Sequence, residues 1–337
     1  MAAMVLDQRQ RPMQDLRISL TDRCNFRCTY CMPRSVFGAR YPFLKPSAVM
    51  NFDEIRRLAE VAASLGANKI RLTGGEPLLR HDVSDLVKHL SQIEGIDELT
   101  MTTNGSRLSQ AMARQLKAAG LTRITVSLDA LDDGVFGQIN DVGFSVKDVL
   151  RAIDHAQAAQ LTPVKINMVV RRSVNANQIL PMAEAFRHTQ QILRFIEFMD
   201  VGNTNHWNRA EVVPAGEIFN TINERWPLTA VEPTRVGEVA RRFRYQDGQG
   251  EIGIIASVSA PFCHSCSRAR LSAEGRLYLC LFAEGGLDLL TPLRQGASDP
   301  ELRSLWQSAW SMRRDQYSVE RATLTARPKV EMSHIGG

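Results

Sequence analysis

The sequence lacks any long run of hydrophobic residues. Its first twenty residues include Asp7, Arg9, Arg11 and Asp15 and contain no apolar segment, so we expect no secretory signal. A membrane-spanning helix needs about 20 predominantly apolar residues in succession, and no stretch of the chain approaches that length. These absences predict a cytoplasmic protein with no membrane partner.

Signals for nucleic-acid binding are also sparse. The chain has 337 residues and a formal net charge of +5, but it has no run of five or more basic residues, and only 7% of its residues are aromatic. A broad nucleic-acid platform stacks bases on aromatic rings along a basic groove. We therefore expect no nucleic-acid partner, and the mild basic excess instead suits a pocket for an anionic ligand.

Cysteine is scarce, and its placement is informative. Six cysteines in a chain of 337 residues do not indicate a disulfide scaffold. They form a first trio near one end of the chain and a second trio near the other: Cys24, Cys28 and Cys31, and Cys263, Cys266 and Cys280. Grouped cysteines in a protein expected in the cytoplasm are typical of metal ligands.

Strand-like runs alternate with amphipathic helical stretches between residues 15 and 199. In the stretch 53–65, for example, Ile55, Leu58, Ala62 and Leu65 share one helix face, and Gly66 stands at the C-cap position. This alternation predicts βαβ units and a parallel sheet. We expect strands at 16–20, 69–73, 98–103, 123–128, 162–170 and 192–199, and helices at 53–65, 82–93, 109–119, 146–159 and 176–187.

Six βα units are too few for a closed eight-stranded barrel. They can form a doubly wound sheet or a partial, open (β/α)6 TIM-type barrel, and our α/β fold prediction is the partial barrel. In both architectures, function collects at the carboxyl ends of the strands. Residues of unusual type follow the predicted strands at 74–77, 103–105, 127–129 and 197–199. These positions predict a site at one rim.

After about residue 202 the alternation stops. Helices are expected at 215–226 and 302–310, and short strands within 236–257 and 270–282. We therefore divide the chain into a core domain, 1–205, and a smaller α+β module, 206–337, which carries the second trio. The last residues, 331–337, end in two glycines and should be mobile if nothing holds them.

The first trio has the spacing C-x3-C-x2-C and directly follows the first predicted strand. Three thiolates this close together can ligate three irons of a cubane cluster and leave the fourth iron open. The alternative is a zinc site, but structural zinc prefers four protein ligands. The loop offers three cysteines and no nearby histidine, which favours the cluster.

The first trio and the Gly-Gly-Glu-Pro segment at 74–77 together resemble the radical SAM superfamily. In that superfamily the open iron chelates S-adenosylmethionine (SAM), and one electron from the cluster cleaves SAM to methionine and a 5′-deoxyadenosyl radical. The resemblance implies SAM contacts at Tyr30, Gly75, Glu76, Ser127 and Met199. It also makes Cys24, Cys28 and Cys31 the ligands of the SAM-binding cluster.

The second trio has the spacing C-x2-C-x13-C, and zinc with His264 as a fourth ligand stays open on spacing alone. His264 lies between two of the cysteines, where its reach to the same metal is awkward. Arg268 and Arg270 follow directly, and in an extended segment both project to one side. Two guanidinium groups on one face suit a phosphate chain, although a solvated strand face would explain them too.

Taken over nearly its whole length, the chain closely resembles the GTP 3′,8-cyclase family of radical SAM enzymes, which open molybdenum-cofactor biosynthesis. The matching segments are 21–28, 71–78, 127–131, 194–197, 266–270 and the terminal glycine pair. The resemblance implies a second [4Fe–4S] cluster on Cys263, Cys266 and Cys280, whose open iron binds guanine. It implies GTP contacts at Arg17, Arg71, Thr102, Lys165, Arg268 and Arg270, and catalytic roles for Arg17, Gly336 and Gly337.

The implied reaction, of the carbon–carbon lyase class, converts GTP to 3′,8-cyclo-7,8-dihydro-GTP. Its cofactors would be two [4Fe–4S] clusters and SAM, and its partners an external electron donor and cyclic pyranopterin monophosphate synthase, which would receive the product. A homodimer is expected by family. Two departures from many relatives, Ala152 in place of Gly and Phe198 in place of Tyr, touch no ligand position.

Two rival functions remain at this point. A radical SAM enzyme that matures a peptide would usually carry more C-terminal cysteines than three. An iron–sulfur or zinc regulator that contacts nucleic acid would need basic runs that the chain lacks. Cleavage of SAM under reducing conditions would separate the enzymes from the regulator.

Overall fold

A computed structural model describes residues 4–234, 237–321 and 328–336. The predicted catalytic residue Gly337 lies outside the described residues. Within the described ranges, no helix is both long enough and apolar enough to cross a membrane.

Strands and helices alternate from residue 15 to residue 197, as the sequence predicted. The strands are β1 (Asp15–Ser19), β2 (Lys69–Thr73), β3 (Glu98–Thr103), β4 (Arg123–Ser127), β5 (Lys165–Val170) and β6 (Ile192–Glu197). The helices are α1 (Phe52–Ser64), α2 (Val83–Ser91), α3 (Gln110–Ala118), α4 (Asp133–Asn140), α5 (Val146–Ala158), α6 (Arg172–Asn175) and α7 (Ile179–Arg187). Capping residues set the ends of α1: Asn51 forms a capping box with Glu54 at its start, and Gly66 follows with φ +108°.

The order of the strands decides between the two architectures that the sequence left open. β1 to β6 lie side by side in chain order, and each is parallel to the next. A doubly wound sheet would reverse its order at a switch point. The winding here runs in one direction only, so the prediction of a partial, open TIM-type barrel is confirmed.

Helix α4 is absent from the sequence predictions. It has eight residues and contains Gly134 and Gly137, and glycine weakens a helical signal because of its backbone entropy. The predicted helix at 176–187 is also divided, since α6 and a 3-10 turn precede α7. Neither difference changes the order of the parallel strands.

Side chains alternate along each core strand between the helices and the interior of the half-barrel. On β1, Leu16 and Ile18 are fully buried in the hydrophobic core, while Arg17 lines the central cavity. On β2, Ile70 and Leu72 are buried in the same way. Strands of parallel sheets are usually hydrophobic on both faces, so this alternation marks a polar lumen.

The region after residue 205 extends the same sheet at both of its edges. Its elements are α8 (Ala215–Arg225), β7 (Leu228–Val231), β8 (Arg241–Tyr245), β9 (Glu251–Ile255), β10 (Arg268–Leu271), β11 (Arg276–Tyr278), β12 (Leu287–Asp288), α9 (Leu290–Arg294), α10 (Asp299–Ser311), α11 (Tyr317–Glu320) and α12 (Met332–Ile335). Strand β9 pairs in parallel with β6, and β10 pairs in parallel with β1. The connection from β9 to β10 therefore crosses the open side of the half-barrel and carries Cys263 and Cys266 with it. The division at residue 205 stays a prediction.

Candidate active site

The first trio lies at the carboxyl ends of the core strands, in the loop that follows β1. Backbone contacts hold this loop against the Gly-Gly-Glu-Pro segment after β2: the N–H of Gly75 donates to the carbonyl of Thr21 at 2.8 Å, and the N–H of Glu76 donates to that of Arg23 at 2.9 Å. A Cβ atom at Gly74 would stand 2.6 Å from the Thr21 carbonyl oxygen. The glycines are therefore needed because two backbones pass at close range.

Arg27 fixes the shape of the cysteine loop from behind. Its guanidinium donates to the carbonyls of Cys24 at 2.7 Å, Phe26 at 2.8 Å and Phe37 at 2.7 Å. Burial raises the pKa of the Cys24 thiol to about 11, and burial together with the neighbouring sulfurs of Cys24 and Cys31 also raises that of Cys28. Thiols that raise one another's pKa lie close together, and a bound metal would stabilise their thiolate forms.

Most of the predicted SAM-binding residues surround this trio. Tyr30, Gly75, Ser127 and Met199 line the same cavity as the three cysteines. The hydroxyl of Tyr30 donates to a carboxylate oxygen of Asp129 at 2.9 Å, and the other oxygen accepts the Val169 N–H at 2.8 Å. Asp129 therefore faces Tyr30 inside the cavity. The sequence placed Asp129 at the rim of the site but did not assign it a contact.

Glu76 is placed differently from the other predicted SAM contacts. Its carboxylate accepts hydrogen bonds from the hydroxyl of Thr103 at 2.6 Å, the N–H of Asn104 at 2.8 Å and the N–H of Leu78 at 3.1 Å. Burial raises its pKa to about 7. The side chain thus ties β2 to β3 behind the cavity wall, and its contact with SAM stays a prediction.

The lumen below the first trio is lined by cations. Arg17, Arg71, Arg194, Arg268 and Arg270 all face the central cavity, together with Thr102 and Asn167. In-register pairing places Arg17 beside both Arg71 and Arg270. Burial, then the charges of Arg270 and Arg71, lower the pKa of Arg17 well below its ordinary value. Such mutual repulsion among buried cations is relieved when a polyanion binds between them.

Burial and the arginines also lower the pKa of two lysines at the amino ends of their strands. Lys165 begins β5, and its pKa is lowered to about 6 by burial and then by Arg123 and Arg194. Lys69 begins β2, and its pKa falls to about 7 through burial and Arg71, although it forms a 2.8 Å ion pair with Glu98. Lys165 stands next to the cavity lining rather than within it.

Among the described residues, several buried polar atoms of the lumen have no hydrogen-bond partner. Within the described part of the chain, the Nε atoms of Arg17 and Arg194 and the Oδ1 atom of Asn167 are buried without any hydrogen bond. Buried polar groups in folded proteins are nearly always paired. These orphaned atoms therefore indicate that a polar ligand belongs in the lumen.

The second trio closes the other end of the same cavity, which Cys263, Cys266 and Cys280 all line. Burial alone would raise the pKa of Cys266, but Arg268 and Arg313 bring it down to about 6. Burial, then Asp315, raise the pKa of Cys280 to about 12. His264 is exposed and does not line the cavity that the three cysteines share, which disfavours it as the fourth ligand of a zinc site.

The donor sets fit clusters better than single ions. Among the described residues, no group of three or more His, Cys, Asp or Glu side chains is arranged around one metal ion. A cubane cluster requires a different arrangement, because each thiolate binds its own iron. Each trio supplies three half-buried sulfurs at one end of a shared cavity, so one iron per cluster would face the lumen.

The C-terminal arm, whose described residues are 328–336, reaches this region of the cavity. The carbonyl of Gly336 accepts a hydrogen bond from Arg270, and Gly336 has φ +72°. A Cβ atom at this position would meet the methyl group of Thr73, at the end of β2. The preceding Ile335 is fully buried and Met332 lines the cavity, so the described part of the arm is held, unlike a free tail.

Arg194 and Asn167 line the lumen but were not among the residues predicted from the sequence. A signal for them was available, because polar residues occupy every second position of strands that parallel sheets usually make continuously apolar. Examples are 69–73, Lys-Ile-Arg-Leu-Thr, and 123–127, Arg-Ile-Thr-Val-Ser. No such periodic signal exists for Arg313, which reaches the second trio from a loop.

Comparisons with known proteins agree with this geometry. The profile of the radical SAM superfamily matches residues 18–186, and that of the Molybdenum Cofactor Synthesis C family matches residues 191–319. The GTP 3′,8-cyclase of Staphylococcus epidermidis is 45% identical over 342 residues, which span the whole of both chains. The GTP 3′,8-cyclase of Acidothermus cellulolyticus is 45% identical over 359 residues, or 99% of each chain. The chain belongs to the GTP 3′,8-cyclase family.

Solved structures show the same fold at much lower sequence identity. SuiB of Streptococcus suis, crystallised with S-adenosylmethionine, superposes with a TM-score of 0.62 at 13% identity and covers 88% of this chain and 69% of its own. Its peptide-bound form gives a TM-score of 0.61 at 12% identity. As a member of the radical SAM and GTP 3′,8-cyclase families, the protein uses SAM and two [4Fe–4S] clusters as cofactors.

Proposed function

We propose that this protein is a radical SAM GTP 3′,8-cyclase. It converts GTP to 3′,8-cyclo-7,8-dihydro-GTP, with SAM cleaved to methionine and 5′-deoxyadenosine, in the first step of molybdenum-cofactor biosynthesis. The observation that carries this proposal is the single cavity that joins the two cysteine trios through a lumen of buried arginines. The reaction belongs to the lyase class.

The rim end of the cavity is the proposed SAM site. Cys24, Cys28 and Cys31 would hold the first cluster, and this cluster with SAM supplies reductive cleavage of the SAM sulfonium when both are bound. The chain's own contribution is to orient SAM beside the trio. Its proposed contacts are Tyr30, Gly75, Glu76, Ser127 and Met199, and four of these five line the cavity.

The lumen is the proposed GTP site. A triphosphate carries several negative charges, and the guanidinium groups of Arg17, Arg71, Arg268 and Arg270 offer paired donors for its oxygens. Thr102 accepts a hydrogen bond from Arg71 at 3.2 Å, which orients that guanidinium. Lys165, at the amino end of β5, would regain its charge when the triphosphate binds. At the far end, Cys263, Cys266 and Cys280 would hold the second cluster and so fix the guanine.

Positioning and exclusion of water are the remaining tasks of the protein. A carbon radical reacts with whatever lies near it, so the ribose must be held close to SAM in a site without water. In the arm, the carbonyl of Gly336 accepts a hydrogen bond from Arg270, and Gly336 lies against the side chain of Thr73. We assign Arg17, Gly336 and Gly337 to this catalytic region.

The partners are proposed on the same basis. The reaction needs an external electron donor for the clusters, and its product passes to cyclic pyranopterin monophosphate synthase. We further propose a homodimer in the cytoplasm.

An anaerobic assay tests the proposed function. Reconstituted protein is mixed with dithionite and SAM, and with either GTP or ATP, and 5′-deoxyadenosine and cyclised nucleotide are measured. We expect both products with GTP and no cyclised product with ATP, because the guanine would be read at the second cluster. Cys28→Ser should abolish SAM cleavage while the protein stays folded, since Cys28 is a proposed ligand of the first cluster. Formation of 5′-deoxyadenosine by the Cys28→Ser protein would contradict the radical SAM mechanism.

A further inference from the structure

The turn that carries Cys263 and Cys266 is held by two arginines distant in sequence, both of which also line the cavity. Arg11 donates to the carbonyl of Cys263 at 2.8 Å, and Arg313 donates to the carbonyl of Cys266 at 2.8 Å. Both arginine side chains are almost fully buried, at 2% exposure. Each backbone contact fixes the residue whose thiol faces the cavity.

Arg313 also contacts a sulfur directly. Its Nη2 lies 3.3 Å from the Sγ of Cys266, and Nη2 of Arg268 lies at the same distance from that sulfur. Arg268 extends into the lumen, where it is a proposed GTP contact. Arg313 differs because its other groups are occupied within the protein: Nε contacts Asp315 at 3.0 Å, and its guanidinium lies 4.6 Å from the centre of the Trp310 ring.

The surroundings of Arg313 fix its orientation. Trp310 is fully buried on α10, and its indole N–H donates to the carbonyl of Arg11 at 3.1 Å. Asp7 forms a 2.6 Å ion pair with Arg11 and lies 3.7 Å from Arg313. A guanidinium held by a carboxylate on each side and by an aromatic face has little freedom to leave the sulfur.

We propose that Arg313 is a positioning residue for the second iron–sulfur cluster. Arg313 fixes the Cys266 ligand and raises the reduction potential of the cluster. Hydrogen bonds to cluster sulfurs and nearby positive charge are the means by which a protein sets this potential. The reduced cluster carries one more negative charge than the oxidised cluster, so a buried cation on a ligand sulfur stabilises it. This inference rests on the proposed assignment of a second cluster to Cys263, Cys266 and Cys280.

The test compares Arg313→Gln and Arg313→Lys with the neighbouring variant Arg314→Gln, in which an exposed arginine is changed. All are made in the full chain with Cys24, Cys28 and Cys31 replaced by Ser, so that only the second trio binds iron. Iron and sulfide contents are measured, and the midpoint potential is followed by EPR during a redox titration. The readout is therefore independent of catalytic activity.

We expect Arg313→Gln to shift the midpoint to a more negative value by a tenfold change in the equilibrium constant, which is about 59 mV for one electron. Arg313→Lys keeps the charge but loses the paired donors, so it should recover part of the shift, and Arg314→Gln should leave it unchanged. Loss of iron from Arg313→Gln, with retention in Arg313→Lys, would also support the positioning role.

Equal iron content and equal midpoints in the Arg313→Gln, Arg313→Lys and Arg314→Gln proteins would overturn the role of Arg313. Absence of any cluster from the second trio with Arg313 intact would instead overturn the assignment of that cluster. The iron content of the protein that keeps Arg313 therefore distinguishes the two failures.

Discussion

At the residue scale, Lys165 shows how the lumen couples ligand binding to protons. Burial, Arg123 and Arg194 lower its pKa from the ordinary 10.5 to about 6 in the free protein. Between these values the unfolded chain holds a proton that the folded chain lacks, so the stability of the free protein should rise with pH across this window. A bound triphosphate would restore the charge, so GTP binding should take up protons and weaken as pH rises.

Titration calorimetry at pH 8, in two buffers of different ionisation enthalpy, measures this uptake. Lys165→Met should reduce the uptake and weaken GTP binding. It should also stabilise the free protein at pH 8, because folding no longer requires Lys165 to lose its proton. Some uptake should remain, since the pKa of Lys69 is also lowered, to about 7. Lys147, which is exposed on α5, provides a control as Lys147→Met. Equal uptake in the Lys165→Met and Lys147→Met proteins would contradict the role of Lys165.

At the element scale, the loop after β6 grips the C-terminal arm just before it enters the site. The carboxylate of Glu331 accepts hydrogen bonds from the Asn203 N–H at 2.9 Å and the Thr204 hydroxyl at 3.0 Å. Lys329 contacts the carboxylate of Asp200 at 2.8 Å. These contacts join the arm to Asp200 and the loop after it. Asp200 directly follows Met199, which is a proposed SAM contact. The contacts therefore fix the position of Gly336.

Replacement of Glu331 tests this grip. Glu331→Gln removes the charge from both hydrogen bonds, and loss of about 1.5 kcal/mol from a charge-assisted contact corresponds to about a tenfold effect. We expect cyclised product to fall by about that factor, while 5′-deoxyadenosine falls less, since the first trio is untouched. Glu224→Gln, at an exposed position on α8, is the matched control. A parallel fall of both products in Glu331→Gln would argue against a specific effect on the arm.

The positions of the core strands were predictable from the sequence, but the strands that pair with the two edges of the core sheet were not. The period of the pattern located β1 to β6 to within a few residues, because local apolar spacing is a property of the chain itself. The pairing of β9 with β6 and of β10 with β1 left no trace in the local sequence, because pairing between distant segments depends on which edges the half-barrel leaves open.

At the scale of the whole molecule, the two trios should act separately. Replacing Cys263, Cys266 and Cys280 with Ser should leave about half of the iron, since two clusters of equal size become one. The variant should still cleave SAM slowly but make no cyclic product, because the guanine would lose its anchor. Iron analysis and product chromatography measure both effects. Zinc at the second trio of the unmodified protein would refute the second cluster.

The sequence by itself was enough to predict the chemistry of the two ends of the site. Cysteine spacing, the Gly-Gly-Glu-Pro segment and the arginines after Cys266 are local patterns. Local patterns can be recognised in the sequence without knowledge of the fold. The tertiary structure decided what lies between the ends. It turned Glu76 toward Thr103 and Asn104, gathered Arg17, Arg71, Arg194 and Arg270 into one lumen, and brought Arg313 to Cys266. The contacts of Glu76 follow from the pairing of β2 with β3, and the meeting of Arg17 with Arg71 follows from the pairing of β1 with β2. The meeting of Arg17 with Arg270 depends on the pairing of β1 with β10. Strand pairing decides these contacts because it places residues far apart in sequence within a few ångströms.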